Sequence, residues 1–297
     1  MTSKEGGVRI LAGPKFFQMN TLRSFATNHP VAFVFSLTIA WLVLLLVFTG
    51  IASSALAKPY GGVATGTVGR LTVTVCVFLL VWRLGWLEAS GVGRLGSRQV
   101  WLIALASLIY FTCASLYSFY GKAAFDFSSL IRLPAARTIV LTHFMVGLSE
   151  EILFRGVVLY GLARVWGNTR LGMVGSVVLA SLLFAVLHIT QVFSHGVSLP
   201  SVLLLTLEAW IISIWWGALV LRGGSIWPAV MLHFVVNAVV AVQGLTVSMV
   251  ESDVVVYTRM LWFSALLGLL GIVLLVQGGP SSALMRTRAG VTFQSDR

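Results

Sequence analysis

Two neighbouring carboxylates lie within a long apolar stretch of the sequence, in the segment SEEILFR at positions 149–155. An ionisable side chain at membrane depth costs about 2.5 kcal/mol or more on insertion scales, so each acid needs a partner or a hydrated cavity. Residues four apart share a helix face, which pairs Glu151 with Arg155. Glu150 points about 100° away and is expected to lack a counter-ion. It is therefore the better candidate for a general base acting on water, with an ion-paired cluster that only holds helices together as the alternative.

Two further apolar segments carry polar side chains that can assist such a base. His233 and Asn237 are four residues apart, so one helix face presents both to the same point, where each can donate to a developing oxyanion. An interhelical hydrogen-bond clamp is the alternative for this pair. His188 is a lone histidine in an apolar segment, for which a hydrogen-bonded packing role is the alternative. Phe184, one turn earlier, is expected to form a pocket wall, and Glu208, with no visible local partner, is expected to be a supporting group.

The elements that must position these groups are predicted to be membrane-spanning helices. The chain of 297 residues is 58% hydrophobic and 10% charged, and its mean hydropathy is +0.96. A soluble domain of this size needs more charge to cover its surface. Its net charge of +11 is carried by loops and tails, where anionic lipid headgroups rather than nucleic acid are the expected partners.

The pattern of apolar stretches predicts an all-α fold, a polytopic transmembrane bundle with a polar catalytic cavity within the membrane. Stretches of about 18 or more apolar residues are typical of membrane spans. We expect about eight spans, at 30–53, 69–87, 99–120, 138–166, 171–193, 198–221, 225–247 and 254–277.

Three regions follow from this assignment: an N-terminal segment at 1–29, the helical domain at 30–277 with a motif-bearing core at 138–247, and a tail at 278–297. Lys and Arg are more frequent in the loops on the N-terminal side, and Arg70 is counted with the opposite loops. The positive-inside rule then predicts that both termini are cytoplasmic. A bacterial plasma membrane is the expected location.

The three polar segments together resemble the CAAX protease and bacteriocin-processing family of intramembrane endopeptidases, also called Abi, and are similar to type II CAAX prenyl endopeptidases. That family has Glu-Glu-x-x-x-Arg, then Phe-x-x-x-His, then His-x-x-x-Asn or Asp, on separate spans. The resemblance covers roughly residues 138–247. In this chain the motifs occur in the same order, as Glu150-Glu151…Arg155, Phe184…His188 and His233…Asn237.

The resemblance implies a role for each motif residue. Glu150 would activate the attacking water with assistance from His188. His233 and Asn237 would stabilise the tetrahedral oxyanion. The residues that would support the shape and charge of the site are Glu151, Arg155 and Phe184.

No cofactor is favoured by the resemblance, although the family is also called a metalloprotease family. A divalent metal such as zinc is the alternative, and two histidines with one glutamate can bind it. Its ligands would be Glu150, His188 and His233.

The leading hypothesis is an intramembrane endopeptidase that hydrolyses a peptide bond of a membrane-associated protein or peptide, lipidated and CAAX-like substrates included, by glutamate-activated water. The expected partners are membrane lipids and that substrate. A non-proteolytic scaffold or bacteriocin-immunity protein on the same fold is the first alternative. A cation-coupled transporter is the second, because intramembrane Glu and His can form relays; repeated broken helices, typical of transporters, are not evident in the sequence.

Overall fold

The computed structural model describes residues 15–119, 136–193, 198–246 and 253–277. Within these ranges the chain is helical and contains no strand, so the predicted all-α fold is confirmed. The predicted tail at 278–297 lies outside the described residues, as does the first half of the predicted N-terminal segment.

Nine α-helices, a π-helix and a 3-10 helix make up the described part of the chain. The π-helix Ile152–Leu159 joins α4 to α5 without a break, and the 3-10 helix Leu187–Phe193 directly follows α6. The α-helices are α1 Lys15–Asn28, α2 Pro30–Arg83, α3 Arg98–Phe119, α4 Ala136–Glu151, α5 Tyr160–Trp166, α6 Arg170–Val186, α7 Leu199–Gly223, α8 Trp227–Thr246 and α9 Asp253–Gln277.

The helix α2 folds back on itself. A straight helix of its 54 residues would be about 80 Å long. Instead, a Cβ on Gly69 would lie 2.9 Å from the Cα of Thr49, and the Phe33 ring near the start contacts the Trp86 ring just past the end, with centroids 6.1 Å apart. The reversal therefore falls between Thr49 and Gly69, where the sequence predicts a turn between two spans.

Six described segments are long and apolar enough to cross a membrane, so the predicted count of eight is not confirmed. Both remaining predicted spans are helical but differ from the expected continuous apolar helix. The fourth is divided into α4, the π-helix and α5, and the apolar part of α8 is only Trp227–Ala241. The six segments are Pro30–Ser54, Gly66–Arg83, Arg98–Ser115, Arg170–Phe193, Leu199–Gly223 and Val254–Gln277.

The loop between α2 and α3 fixes where α8 begins. Gly91 has a φ of 83°, a left-handed conformation that glycine adopts without strain, and a Cβ there would lie 2.9 Å from the Cα of Ser225. The Gly91 carbonyl accepts from the Ile226 N–H at 3.2 Å. The Trp227 indole donates to the Val92 carbonyl at 3.0 Å. Since α8 carries His233 and Asn237, this loop positions two of the predicted site residues.

The helix α4 approaches α8 closely because it has a glycine at the crossing. A Cβ on Gly147 would lie 3.1 Å from the Phe234 backbone nitrogen and 3.2 Å from the Val230 carbonyl oxygen. Gly147 is one turn before Glu151, and the two contacted residues flank His233. The absence of a side chain at this position therefore brings the acidic motif and His233 within contact distance.

Candidate active site

Side chains from the three motifs line one cavity of about 410 Å³. Glu150 reaches it from α4, His188 from the 3-10 helix, and His233 and Asn237 from α8. The structure thus brings together all four residues that sequence reasoning placed in the catalytic set. The rest of the lining is largely apolar and includes Phe111, Leu205, Ile212, Val236, Val240 and Met260.

Glu151 lies behind the cavity at the centre of a buried network. Its Oε1 accepts from Arg155 Nη1 at 2.8 Å and is 2.9 Å from His233 Nδ1. The other end of the guanidinium donates to Ser213 Oγ on α7 at 2.8 Å. The Glu151 side chain is 0% exposed and that of Arg155 2%. The predicted pairing is therefore present, and it also orients one of the site histidines.

Aromatic rings pack around this network. The Arg155 guanidinium lies over the rings of Phe184 and Trp216, 4.9 and 5.4 Å from their centroids. Trp216 is stacked on His233 with centroids 4.9 Å apart. Phe184 meets His188 and His233 edge-on at 5.1 and 5.6 Å. Phe184 lines the cavity, as expected for a pocket wall, and it also holds both histidine rings in place.

Glu150 does have a counter-ion, so the expectation that it lacks one is wrong. Arg70 Nη1 donates to Glu150 Oε1 at 3.0 Å. The other carboxylate oxygen is 3.8 Å from His233 Nε2. Arg70 was assigned to a loop, but it lies inside the candidate span Gly66–Arg83 and lines the cavity. Helix-face reasoning treats each helix alone and therefore misses a partner 80 residues away. The sequence feature that could have indicated Arg70 is a charged residue at the edge of an apolar stretch.

A histidine and a glutamate from outside the three motifs also line the cavity. His143, two turns before Glu150 on α4, is one of them, and its buried Nδ1 has no hydrogen-bond partner. Glu208 on α7 is the other; it is 8% exposed, and its Oε1 accepts from Ser264 Oγ on α9 at 2.7 Å. This hydroxyl is the partner that the sequence around Glu208 did not reveal.

The arrangement of the donors does not fit a zinc centre. In the described ranges, no three His, Cys, Asp or Glu side chains are grouped so that they could hold a metal ion. A catalytic zinc needs three protein ligands with free donor atoms converging on one point. In this site Glu151 engages His233 Nδ1 and Arg70 engages Glu150 Oε1, which leaves His233 Nε2 and Glu150 Oε2, 3.8 Å apart, as the free donor atoms of these two residues.

The protonation pattern of His233 follows from its contact with Glu151. A carboxylate paired with Arg155 is an acceptor only, so the His233 Nδ1 must carry the hydrogen of that bond. Its Nε2, which faces Glu150, is then an acceptor in the neutral ring and a donor only in the doubly protonated ring. Asn237, by contrast, keeps an N–H donor whatever the protonation state of its neighbours.

Comparison with family models matches residues 132–239 to the family described as type II CAAX prenyl endopeptidase Rce1-like. The match begins shortly before α4 and ends two residues after Asn237, so it contains all three motifs. It leaves out Arg70. The resemblance that the motifs carry is thus confirmed over this segment. No curated protein and no solved structure matched the chain significantly.

Proposed function

From the similarity of residues 132–239 to type II CAAX prenyl endopeptidases, we propose that this integral membrane protein is an intramembrane endopeptidase. It hydrolyses a peptide bond of a membrane-associated protein or peptide, with Glu150 as the base that activates water. The observation that carries the proposal is the convergence of Glu150, His188, His233 and Asn237 on one cavity among the candidate spans.

The reaction can be written with these side chains alone. Glu150 takes a proton from a water molecule, and the resulting hydroxide attacks the scissile carbonyl carbon. Asn237 donates to the oxyanion that forms. When the tetrahedral intermediate collapses, the peptide C–N bond breaks and the leaving amine takes the proton held by Glu150. His188, which lines the same cavity, orients the water.

Two features support this assignment of Glu150 over its neighbour. Glu151 is fully buried and is not among the residues that line the cavity, so it does not reach a water there. The Glu150 side chain is 14% exposed and lines the cavity. A base must lie within hydrogen-bond reach of the proton that it removes. Only Glu150 of the two meets this condition.

The first substrate to test is a farnesylated peptide with a CAAX-type C-terminus, because the family's name specifies a prenylated CAAX protein. The apolar walls beyond the polar residues are compatible with a long hydrocarbon group. A library of unmodified membrane-active peptides tests the wider class.

The proposal is tested with purified wild-type protein and a Glu150→Gln variant, each incubated with these peptides and followed by mass spectrometry. Loss of the base should lower the cleavage rate by about 10²-fold or more. A Glu88→Gln variant is the matched control, because Glu88 makes an exposed pair with Arg94 in the loop after α2. Thermal unfolding in detergent monitors whether loss of the Arg70 pair changes folding.

Two results would contradict the proposal in different ways. Cleavage at the wild-type rate by a folded Glu150→Gln protein would show that the base is another group. A wild-type protein that cleaves no peptide, and whose cellular phenotype is rescued by Glu150→Gln, would favour the non-proteolytic scaffold.

A further inference from the structure

Arg70 is held beside the polar end of the cavity by the packing of α2 on α4. The hydroxyl groups of Thr67 and Thr142 share a hydrogen bond of 2.8 Å, which sets the level of the two helices. Arg70 is one turn beyond Thr67, about 4.5 Å along the axis, whereas Glu150 is about 12 Å beyond Thr142. Arg70 therefore leaves α2 at a level between His143 and Glu150, and its side chain enters the cavity there.

The guanidinium of Arg70 makes fewer hydrogen bonds to the described residues than it has N–H donors. Its side chain is 26% exposed, and within the described residues its one side-chain hydrogen bond is the single contact from Nη1 to Glu150. A guanidinium has five N–H donors in a fork that matches both oxygens of a carboxylate. Among the described cavity-lining residues, Arg70 is the only Arg or Lys. It thus presents spare donors and a positive charge to whatever occupies the cavity.

The contrast with Arg155 argues against a purely structural role. Arg155 is 2% exposed, bonds to both Glu151 and Ser213, and lies over two aromatic rings. That is how an arginine serves as a structural part of a membrane bundle. Arg70 has none of these additional contacts, although it too pairs with one of the two motif carboxylates.

His143 adds a second group on the same wall. It lines the cavity, and no protein group bonds to its Nδ1. Since nothing fixes its tautomer at that atom, the ring can present an N–H to a ligand. Arg70 lies near enough to interact electrostatically with His143 as well as with Glu150. An anion placed between the two basic side chains would be bound by both.

We propose that Arg70 and His143 form a carboxylate-binding subsite for the substrate. Glu150 pairs with Arg70 only while this subsite is empty. The inference rests on the proposed peptidase function in that the ligand is a peptide. An incoming carboxylate takes the bidentate position on Arg70 and leaves both oxygens of Glu150 available for water. The carboxylate is either the C-terminal α-carboxylate of the peptide or an Asp or Glu side chain.

Binding is measured in the Glu150→Gln background, where cleavage is suppressed, with a fluorescent farnesylated CAAX-type peptide in detergent micelles. Three forms of the peptide are compared: the free acid, the C-terminal amide, and an amide whose last residue is Asp. A charge-assisted hydrogen bond predicts that the free acid binds at least about tenfold more tightly than the amide. Tight binding of the Asp amide would identify a side-chain carboxylate as a second accepted source.

Adding Arg70→Gln should reduce the difference between acid and amide to less than about threefold, and Arg70→Lys should restore only part of it, because an ammonium group lacks the fork. His143→Ala should weaken acid binding more than amide binding. Arg83→Gln, the same change at the far end of α2, is the control that should keep the full difference.

Equal affinity for acid and amide, or no measurable binding of either, would overturn the subsite. A difference that persists in Arg70→Gln would overturn the role of Arg70. These results are independent of the test of the peptidase, which asks whether wild-type protein cleaves the peptide and Glu150→Gln does not. A protein that discriminates between acid and amide without cleaving either would keep the subsite and reject the peptidase.

Discussion

The buried pair of Glu151 and Arg155 has a larger energetic consequence than an ordinary ion pair. Both side chains are removed from water, and each satisfies a further partner, His233 for the acid and Ser213 for the base. Removing one partner of a buried pair leaves an uncompensated charge that neither water nor lipid can solvate. The pair therefore holds α4, the π-helix, α7 and α8 in register around the cavity.

Replacing Arg155 with Leu should destabilise the protein by about 3 kcal/mol or more, because Glu151 is left buried without its counter-ion. Activity should fall as well, since Arg155 no longer holds Glu151, the partner of His233, in position. Unfolding of the purified variant in detergent, followed by circular dichroism against temperature or denaturant, gives the measurement.

Arg94→Leu is the matched control for this change. Arg94 pairs with Glu88 at 3.1 Å, but the two side chains are 41% and 67% exposed. Exposed pairs contribute about 1 kcal/mol or less. A similar loss of stability in both variants would mean that burial does not set the cost of breaking the Glu151 pair.

For individual residues, interactions within one helix could be predicted from the sequence, whereas interactions between helices could not. Glu151 with Arg155 follows from the spacing of four residues, and the structure shows that contact. Arg70 with Glu150 has no such spacing, since it depends on how α2 folds back and docks on α4. The roles of Glu150, His188, His233 and Asn237 stay predictions; their shared cavity is what the structure adds.

Among the elements, the segment after Glu151 differs most from the expected regular span. Residues Ile152–Leu159 form a π-helix in which every residue is buried. π-helical turns often occur at functional sites, where they adjust the direction of side chains. Hydropathy alone cannot reveal such a segment, because it is as apolar as the α-helix that the sequence predicts for 138–166.

The crossing of α4 and α8 is the element-level feature that most directly controls the site. Gly147→Val would place a side chain against the backbone of Val230 and Phe234, where even a Cβ would be within 3.2 Å. The helices must then separate, which lengthens the 2.9 Å contact between Glu151 and His233. We expect a loss of about 1–3 kcal/mol in stability and a fall in activity of about tenfold or more, because displacements near 1 Å can cost about 10² in rate.

Gly175→Val on α6 is the control, since a Cβ at Gly175 meets no atom within 4 Å. Gly175→Val also replaces glycine with valine inside an α-helix, so the change in helix propensity is the same. The ratio of the two activities, measured with one peptide at matched protein concentration, isolates the effect of the α4–α8 crossing on catalysis. If both variants lost activity equally, the close approach at Gly147 would not be what aligns the site.

Over the whole molecule, arginines gather at one end of the described bundle. The loop after α2, which carries Arg94, is joined to the start of α8 by Ser225 Oγ donating to the Arg94 carbonyl at 2.6 Å. Arg164 lies over the Trp86 ring in the same region, 5.2 Å from its centroid. Arg222, in the last turn of α7, donates to the Leu274 carbonyl near the end of α9. This clustering agrees with the charge asymmetry that led to the predicted orientation, although orientation itself stays a prediction.

The two cysteines lie on the outer surface of the described bundle. Cys76 and Cys113 are free and exposed on the outside of the bundle, and each lies within a candidate span. A thiol surrounded by lipid is shielded from polar reagents, which stay in the water phase. Both should resist a membrane-impermeant maleimide in intact vesicles and react after solubilisation in a denaturing detergent.

Orientation can be decided by adding one cysteine at each end of α7. Leu95 is 72% exposed in the arginine-rich loop beside the end of α7, and Leu199 is 56% exposed at its beginning. The 25 residues of α7 separate these ends by about 37 Å, more than the hydrocarbon core of a bilayer. The positive-inside rule predicts that Leu95→Cys reacts with the impermeant maleimide in inside-out vesicles and Leu199→Cys in right-side-out vesicles. The reverse pattern would place the arginine-rich end outside. If Cys76 or Cys113 were labelled as fast as either new cysteine, lipid would not surround the candidate spans.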